Sequence, residues 1–226
     1  MRTIIVTGSE GLIGSSISAF LEEQKETQVI RCDTKLGNDL TNEKEVNHFF
    51  THNKANYLIN MFALNDHVDN SGKCQTLFDI SLSSFKDYLD INLVALFSVC
   101  RAFAANNKIG HIVNVSSTYG LVSPRPDLYE AGEKHIGYSV SKAGVIQLTK
   151  HLATHLSPQF LVNCVSPGGV LFEQSKDFKD KYAEHTPLKR MMANNELNEL
   201  LNYMCSKNCS YMTGSNIVVD GGWTAW

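Results

Sequence analysis

The sequence predicts an α/β protein: one doubly wound, mostly parallel sheet with helices on both faces. Three observations support this. Short β-rich runs alternate with helical periods from one end of the chain to the other. The 226 residues are long for one domain and short for two, and no repeat, low-complexity tract or linker divides them. Hydrophobic residues make up 43% and charged residues 19%, enough to bury a sizeable core under a polar surface. The expectation is a single domain over 1–226.

The elements follow in order. "RTIIVTG" is a β-rich run ending in glycine, and "GLIGSSISAFLEEQ" after it reads as a helix. "TQVIRCD" is the second strand. "LTNEKEVNHFFTHN" is helical, with Thr41 the expected N-cap and Glu45 near the helix start. "NYLINMFA" is the third strand. Ser83 to Asn107 reads as one long helix, because Phe85, Leu89, Leu93, Leu96, Phe97, Cys100 and Phe103 fall near one face. "HIVNVSS" is the fourth strand, and "YSVSKAGVIQLTKHLATHL" is a helix with Pro158 just beyond it. "FLVNCVSPGG" is a strand, "NNELNELLNYMCS" a helix and "SNIVVDGG" the closing strand. The polar segments Asn65–Thr76 and Ser123–Lys134 read as surface loops. A sheet wound in this way binds ligands at the carboxyl ends of its strands, at the switch point.

Charge and composition narrow the function classes. The net charge of −3 leaves no global basic field, which counts against a nucleic-acid partner. No stretch approaches eighteen consecutive apolar residues, so no membrane partner is expected. "MRTIIVTGSEG" starts a strand at once, without the n-region, h-region or cleavage site of a leader. The cysteines are Cys32, Cys74, Cys100, Cys164, Cys205 and Cys209, with no CxxC pair and no framework spacing. Most lie in apolar runs and read as buried free thiols in a reducing cytoplasm. His48/His52 and His151/His155 have i,i+4 spacing, but nothing nominates a third ligand, so no metal is expected.

"TGSEGLIG" lies between a strand and a helix, with Gly8, Gly11 and Gly14 three apart. Glycines let the backbone turn sharply and approach a pyrophosphate, while the helix start offers amides and a positive dipole end. Such turns also occur for packing alone. Asp33, which ends the second strand nineteen residues after Gly14, adds to the first reading. A carboxylate there accepts hydrogen bonds from the adenosine ribose and repels a 2′-phosphate, which favours NAD over NADP. Arg31 and Lys35 flank it and could partly offset that repulsion.

"GYSVSKAG" sets Tyr138 and Lys142 one helical turn apart, on the same face. A phenol ionises near pH ~10 and must do so roughly three pH units lower, about 4 kcal/mol, to act as an acid/base near neutrality. One cation at about 4 Å, at an effective dielectric near 20, supplies about that much. The pair alone also arises by chance on helices. Upstream, "HIVNVSSTYG" ends a strand with Ser116 and Ser117, hydroxyls able to polarise a carbonyl. Downstream stand "NCVSPGG" and "TGSNIVVDGG".

Taken together and in this order, the motifs make the chain resemble the short-chain dehydrogenase/reductase family over essentially its whole length. The resemblance implies a Rossmann-like fold and a hydride-transfer chemistry. Ser117, which begins "STYG", matches the serine that orients the substrate oxygen. Tyr138 matches the residue that exchanges a proton with that oxygen. Lys142 matches the lysine that lowers the phenol's pKa and binds the nicotinamide ribose. Asn92, in "DINLVALF", matches the helix asparagine that holds a proton-relay water. The cofactor residues implied are Gly8, Gly11, Leu12, Ile13 and Gly14 in the turn, with Asp33 after it. Asp39 and Leu40 match the pair at the adenine, and Asn60 and Ala63 the strand end beside the cofactor. Pro167, Gly168 and Val170 match the turn facing the nicotinamide.

The chain departs from the family pattern in several places. Its Gly-x-x-Gly-x-x-Gly turn is the form usual in the longer, sugar-nucleotide branch, yet the chain is too short for that branch's substrate lobe. Only "TKLGN" lies between Asp33 and Asp39, so the fold is expected to be shortened after strand 2. "NMFA" at Asn60–Ala63 carries the bulky Phe62 where a small residue is usual. Phe172 stands where a threonine is expected four residues after Gly168, which removes a hydroxyl from the carboxamide's surroundings. Ser117 and Tyr138 are 21 apart, against the family's dozen or so. The extra residues begin beside the substrate oxygen. One reading gives Arg125, Tyr129, Glu130, Lys134 and His135 a pocket for a polar substrate; the other is a solvent loop grown at a tolerant site.

The substrate site is expected from loops at 118–137 and 169–192. The loop form and the "DGGWTAW" ending look like oxidoreductases of surface-sugar and flagellin-modification pathways. The leading expectation is an NAD(P)-dependent enzyme interconverting a secondary alcohol and a ketone on a sugar-like small molecule. The alternatives are a sugar epimerase or dehydratase that keeps NAD bound, and a non-catalytic dinucleotide sensor on the same fold. Lys189 and Arg190 either meet a substrate phosphate or face water. The two helices Ser83–Asn107 and Tyr138–Leu156 carry more apolar surface than one sheet face covers, so a homodimer or homotetramer is expected. Trp223 and Trp226 bury either at a second interface or within their own subunit.

Overall fold

Among the described residues, six parallel strands form one sheet in the order β2-β1-β3-β4-β5-β6. They are β1 (Arg2–Thr7), β2 (Thr27–Cys32), β3 (Tyr57–Asn60), β4 (Gly110–Val115), β5 (Phe160–Pro167) and β6 (Asn216–Val219). This computed structural model describes residues 1–65, 76–129 and 132–226. Cys74, Glu130 and most of the Asn65–Thr76 segment fall outside the described residues. The chain winds outward from β1 to β2, then crosses back to lay β3 on β1's other side, with Ile5 opposite both Ile30 and Leu58. The winding reverses between the carboxyl ends of β1 and β3, where such sheets open a crevice.

Alternation along the strands supplies both layers. Ile5, Leu58, Ile112, Val162 and Cys164 pack with residues of α2 (Glu43–His52), α4 (Ala95–Asn106) and α5 (Ile136–Leu156). Ile4, Val6, Ile59, Val113 and Val165 point the other way, toward α1 (Leu12–Glu22) and α7 (Asn198–Met204). After β2 the chain makes only a short 3-10 turn, Thr34–Leu36, ended by Gly37 at φ +82°. This is the expected shortening, and it leaves β2 at the sheet edge.

Several local expectations need correction. Asn42, not Thr41, caps α2: its Oδ1 accepts from the Lys44 amide at 3.1 Å. Thr41 instead donates its N–H and hydroxyl to Asp39 Oδ1, at 2.9 and 2.7 Å. The long helix runs over Leu82–Asn106, but a π turn at Asp90–Val94 separates α3 (Leu82–Leu89) from α4. By length and composition it could cross a membrane, yet Leu96, Val99, Cys100 and Phe103 are buried in the core under the sheet. α5 begins at Ile136, two residues before Tyr138, because His135 Nδ1 accepts from the Gly137 amide at 3.0 Å. Only Asn198–Met204 of the expected last helix is helical. One helix is unforeseen, α6 (Lys176–His185), where Tyr182 is the single buried side chain and no apolar period announces it.

Cys32, Cys100, Cys164, Cys205 and Cys209 are free and buried. Among the described residues no group of three or more His, Cys, Asp or Glu is placed to hold a metal ion.

Candidate active site

A cavity of about 570 Å³ opens at the strand carboxyl ends. Its floor is the turn after β1. Gly8 sits at φ +69°, a conformation side chains resist, and its amide donates to the Cys32 carbonyl at 2.8 Å. Any Cβ on Gly14 would overlap the Gly8 carbonyl oxygen, so turn and helix can close only with hydrogen there. Gly11 caps α1 without a side-chain hydrogen bond, leaving the first-turn amides to whatever enters the cavity. Gly8, Gly11, Leu12, Ile13 and Gly14 all line it. A bare backbone edge at an uncapped helix start fits a dinucleotide's pyrophosphate.

Asp33 follows β2 and is 8% exposed rather than solvated. Its carboxylate accepts from the amides of Glu10 at 3.0 Å and Lys35 at 2.9 Å, which fastens it to the glycine turn. Arg31 does not offset it, because its guanidinium is paired with Glu10 at 3.1 Å and Glu22 at 2.8 Å.

Another part of the wall holds the residues expected to carry the chemistry. β4 ends at Val115, and the chain turns through Ser116 and Ser117 into a short 3-10 turn that Ser117 caps, accepting from the Tyr119 amide at 3.1 Å. Both serines line the cavity, but the Ser116 hydroxyl is committed to the packing, donating to the Lys142 carbonyl at 2.7 Å. Gly120 lets this turn approach α5: a Cβ there would come within 2.7 Å of the Lys142 carbonyl carbon. Ser117, Tyr138 and Lys142 line one wall and are all nearly buried.

Tyr138 and Lys142 share a helix face as their spacing requires, but the expected direct activation is not the dominant effect. Lys142 Nζ donates to the Val115 carbonyl at 2.9 Å and lies 5.8 Å from the Tyr138 ring centroid. Burial raises the Tyr138 pKa, and its hydrogen bond with Ser117 works in the opposite direction. Burial also pushes Lys142 down to about 8. A second ammonium, Lys134 Nζ, stands 4.9 Å from the same ring centroid and donates to Asn65 Oδ1 at 2.6 Å. It comes from the long segment between β4 and α5.

Ala63, Pro167, Gly168 and Val170 reach the cavity wall. Asp33, Asn60, Asn92, Asp39 and Leu40 are not on it. Asn60 lies beneath the strand ends in a buried chain. Thr7 Oγ1 donates to Asn60 Oδ1 at 2.8 Å, Asn60 Nδ2 to Asn114 Oδ1 at 2.9 Å, and Asn114 Nδ2 to Thr149 Oγ1 at 3.0 Å. It ties β1, β3, β4 and α5 together. Asn92, in the π turn, accepts from the Leu64 amide at 2.6 Å and donates to the Leu64 carbonyl and the Ser141 hydroxyl, both at 3.0 Å. Its side chain positions the segment after β3. Leu40 is in the core, and the exposed Asp39 is held below the usual carboxylate range by its bonds to Thr41.

The substrate end divides the loop residues. Tyr129 and Lys134 line the cavity. Arg125 pairs with Asp127, and His135 caps α5 while stacking on Tyr88 at 4.3 Å. Arg190 pairs with Glu196 at 2.6 Å, and Lys189 donates to the Glu184 carbonyl, so neither is presented to the cavity. Leu128, Tyr182, Met191 and Trp223 form a small core of their own, with Tyr129 and Phe178 against it. Trp223 therefore packs within its own chain, stacked on Tyr182 at 4.6 Å, while Trp226 is exposed. The Tyr182 hydroxyl accepts from the Gly169 amide at 2.6 Å, and Tyr119 and Tyr129 share a hydroxyl contact at 3.1 Å. Sequence reasoning did not single out Tyr119, Leu128, Phe178 or Tyr182, although all four lie in the loops 118–137 and 169–192 expected at the substrate site, and Tyr119 stands inside "STYG". Phe172 also lines the cavity and is half exposed.

Comparison with known proteins agrees with this fold. Residues 5–224 match the model of a family described as enoyl-(acyl carrier protein) reductase. An uncharacterized oxidoreductase of Schizosaccharomyces pombe is 32% identical over 194 residues, 83% of this chain and 70% of that protein. A 3-oxoacyl-(acyl-carrier-protein) reductase of Aquifex aeolicus is 33% identical over 165 residues, 69% of this chain and 63% of the relative. A solved short-chain dehydrogenase of Leptospira borgpetersenii with bound NAD+ is 26% identical, with a TM-score of 0.82 over 99% of this chain and 92% of that one.

Proposed function

The chain belongs to the short-chain dehydrogenase/reductase family of NAD(P)-dependent oxidoreductases, and from that premise we propose that it interconverts a secondary alcohol and a ketone on a polar, sugar-like molecule, with NAD as the cofactor. One observation carries the reading: the glycine turn and Ser117, Tyr138 and Lys142 line one and the same cavity. The bound nicotinamide supplies or accepts the hydride. Tyr138 exchanges the proton with the substrate oxygen, and Ser117 orients that oxygen. Lys142, buried against the Val115 carbonyl, is the cationic neighbour of the pair and a donor toward the cofactor ribose. Asn92 acts through the Leu64 backbone as a positioning residue.

The polar substrate rests on the lining of the far end. Asn65, Lys134, Glu173 and Gln174 supply polar groups there, and Tyr129 and Phe178 supply aromatic faces. NAD is favoured because Asp33 is fastened to the glycine turn and Arg31 is committed to carboxylates. Self-association is part of the same reading. Val94 and Phe97 on the long helix, and Ile136 and Val140 on α5, are exposed apolar residues suited to a second copy.

The test is a screen of sugar and polyol substrates with each cofactor, followed by the absorbance of the reduced nicotinamide. A steady change with one substrate class supports the proposal. A product formed with flat absorbance replaces it with the epimerase or dehydratase reading, which the glycine spacing favours. A monomer by light scattering overturns the self-association.

A further inference from the structure

The residue between the glycines of the turn has an unusual concentration of charge around it. Glu10 Oε1 accepts from Arg31 Nη1 at 3.1 Å and from the Ser9 hydroxyl at the same distance. The other edge of the Arg31 guanidinium is held by Glu22, Nε to Oε1 at 2.8 Å and Nη2 to Oε2 at 3.0 Å. The Glu10 carbonyl accepts from Lys35 Nζ at 3.1 Å, and the Glu10 amide donates to Asp33 Oδ2 at 3.0 Å. Arg31 and Asp33 stand two apart, so both point to the same side of the sheet. Both cations that flank Asp33 are thereby tied to one residue of the turn.

We infer that Glu10 is a specificity-determining residue for the cofactor: by holding Arg31 with its carboxylate and Lys35 with its carbonyl, it withholds both cations from an adenosine 2′-phosphate. The inference rests on the proposed placement of the adenosine ribose at Asp33. A phosphate monoester carries nearly two negative charges and is met best by a guanidinium edge with two parallel N–H donors. Glu10, Glu22 and Asp33 outnumber Arg31 and Lys35, so the site is net negative toward such a group. Asp33 alone would repel the phosphate. Glu10 adds its own charge and removes the compensation that Arg31 would otherwise bring.

Removing the Glu10 charge should free one side of the Arg31 guanidinium while Glu22 keeps the side chain in place. The experiment is a fluorescence titration of NADH and NADPH against the unsubstituted protein, Glu10→Gln, Glu10→Gln/Arg31→Met and Arg31→Met. The expected result is NADPH affinity raised about tenfold in Glu10→Gln, with NADH within about threefold of the starting value. The gain should disappear in the double variant. In Arg31→Met alone NADPH affinity should stay within about threefold, because a withheld arginine contributes nothing to lose. Unchanged NADPH affinity in Glu10→Gln with NADH binding intact overturns the inference and leaves the cofactor reading standing. So does a large loss of NADPH affinity in Arg31→Met alone. Failure of the unsubstituted protein to bind NADH overturns the cofactor reading itself, and the inference with it.

Discussion

At the glycine turn the cavity wall is backbone; at the other end it is side chain. Gly8, Gly11 and Gly14 present amides and carbonyls packed so closely that Gly14 has no room for a Cβ. Beneath them Thr7, Asn60, Asn114 and Thr149 lock the strand ends to α5. Across the cavity, Leu128, Tyr129, Phe178 and Tyr182 come from two excursions off the sheet and meet in a small core separate from the two main ones. The second excursion leaves and returns at one place, where the Leu171 amide donates to the Met192 carbonyl at 2.8 Å and the Met192 amide to the Gly169 carbonyl at 3.0 Å. On the proposed reading the backbone-built wall recognises what every substrate reaction shares, the cofactor, and it tolerates almost no change. A side-chain wall on loops can change its occupant without disturbing the sheet.

The two ends meet at Tyr138, where the largest effect is expected. Tyr138→Phe should lower kcat by about 10²–10⁴-fold, the range for loss of a general acid/base. NADH affinity should stay within about threefold, because the cofactor wall is untouched. Single-turnover kinetics beside an NADH titration checks both halves. A variant that loses NADH binding as well would show that the two ends are one structural unit.

Gly14→Ala tests the backbone end. Alanine gains about 1 kcal/mol of helix propensity over glycine. Against that, the new Cβ would overlap the Gly8 carbonyl oxygen and sit 2.9 Å from its carbon, both backbone atoms that cannot swing aside. Overpacking costs about 1–3 kcal/mol, and an overlap with rigid backbone falls at about 2–3, so the overlap wins. The expected outcome is net destabilisation of about 1–2 kcal/mol in urea unfolding, and NADH affinity weakened about tenfold or more.

Lys142→Met separates the function of the junction from its stability. Burial holds Lys142 at about 8 in the folded protein, against 10.5 for an ordinary lysine. Between those values the unfolded chain binds more protons, so this lysine makes stability rise with pH across that window. Below pH 8 the full cost of the buried ammonium is present; above pH 10.5 none of it remains. Methionine avoids that cost but leaves the Val115 carbonyl without its donor. Near pH 7 the variant should be about 1–2 kcal/mol more stable and much less active, with the stability gap closing as pH rises. Paired urea titrations at the two ends of the window measure it. A gap that does not vary with pH would mean the ammonium is solvated in the folded protein.

What could be read in advance follows the same division. Tyr138, Lys142 and the three glycines depend on spacing within one helix or one turn, and such periods are written locally. All six strands were legible for the same reason. The position of Asn60 depends on the register of three strands at once: its neighbours Thr7 and Asn114 are 53 and 54 residues away. The π turn that aims Asn92 has no pattern of its own. At the substrate end the signal is weakest. α6 has one buried side chain, and that residue, Tyr182, matters through contacts with Gly169 and Trp223 that no period encodes. Trp223 looked available to another subunit because aromatic bulk near a terminus carries no direction until its neighbours are placed.

Tyr129→Phe is the mildest change and the sharpest test of separability. It removes one hydroxyl from the Tyr119–Tyr129 pair and keeps the ring against Phe178, whose centroid is 5.7 Å away. The Tyr119 hydroxyl, largely buried, is left without that partner, at a cost of about 1 kcal/mol. Burial raises the pKa of both phenols, so both are neutral near pH 7 and no charge effect accompanies the change. If the far wall is an independent, side-chain-built surface, the expected result is KM for the screened substrate raised about threefold to tenfold, with kcat little altered. NADH affinity should not move, because no hydrogen bond of the glycine turn or the Asn60 chain passes through Tyr129. A fall in kcat without a change in KM would place Tyr129 with Tyr138 rather than with the substrate wall, and the boundary between the two ends would then lie inside the long loop.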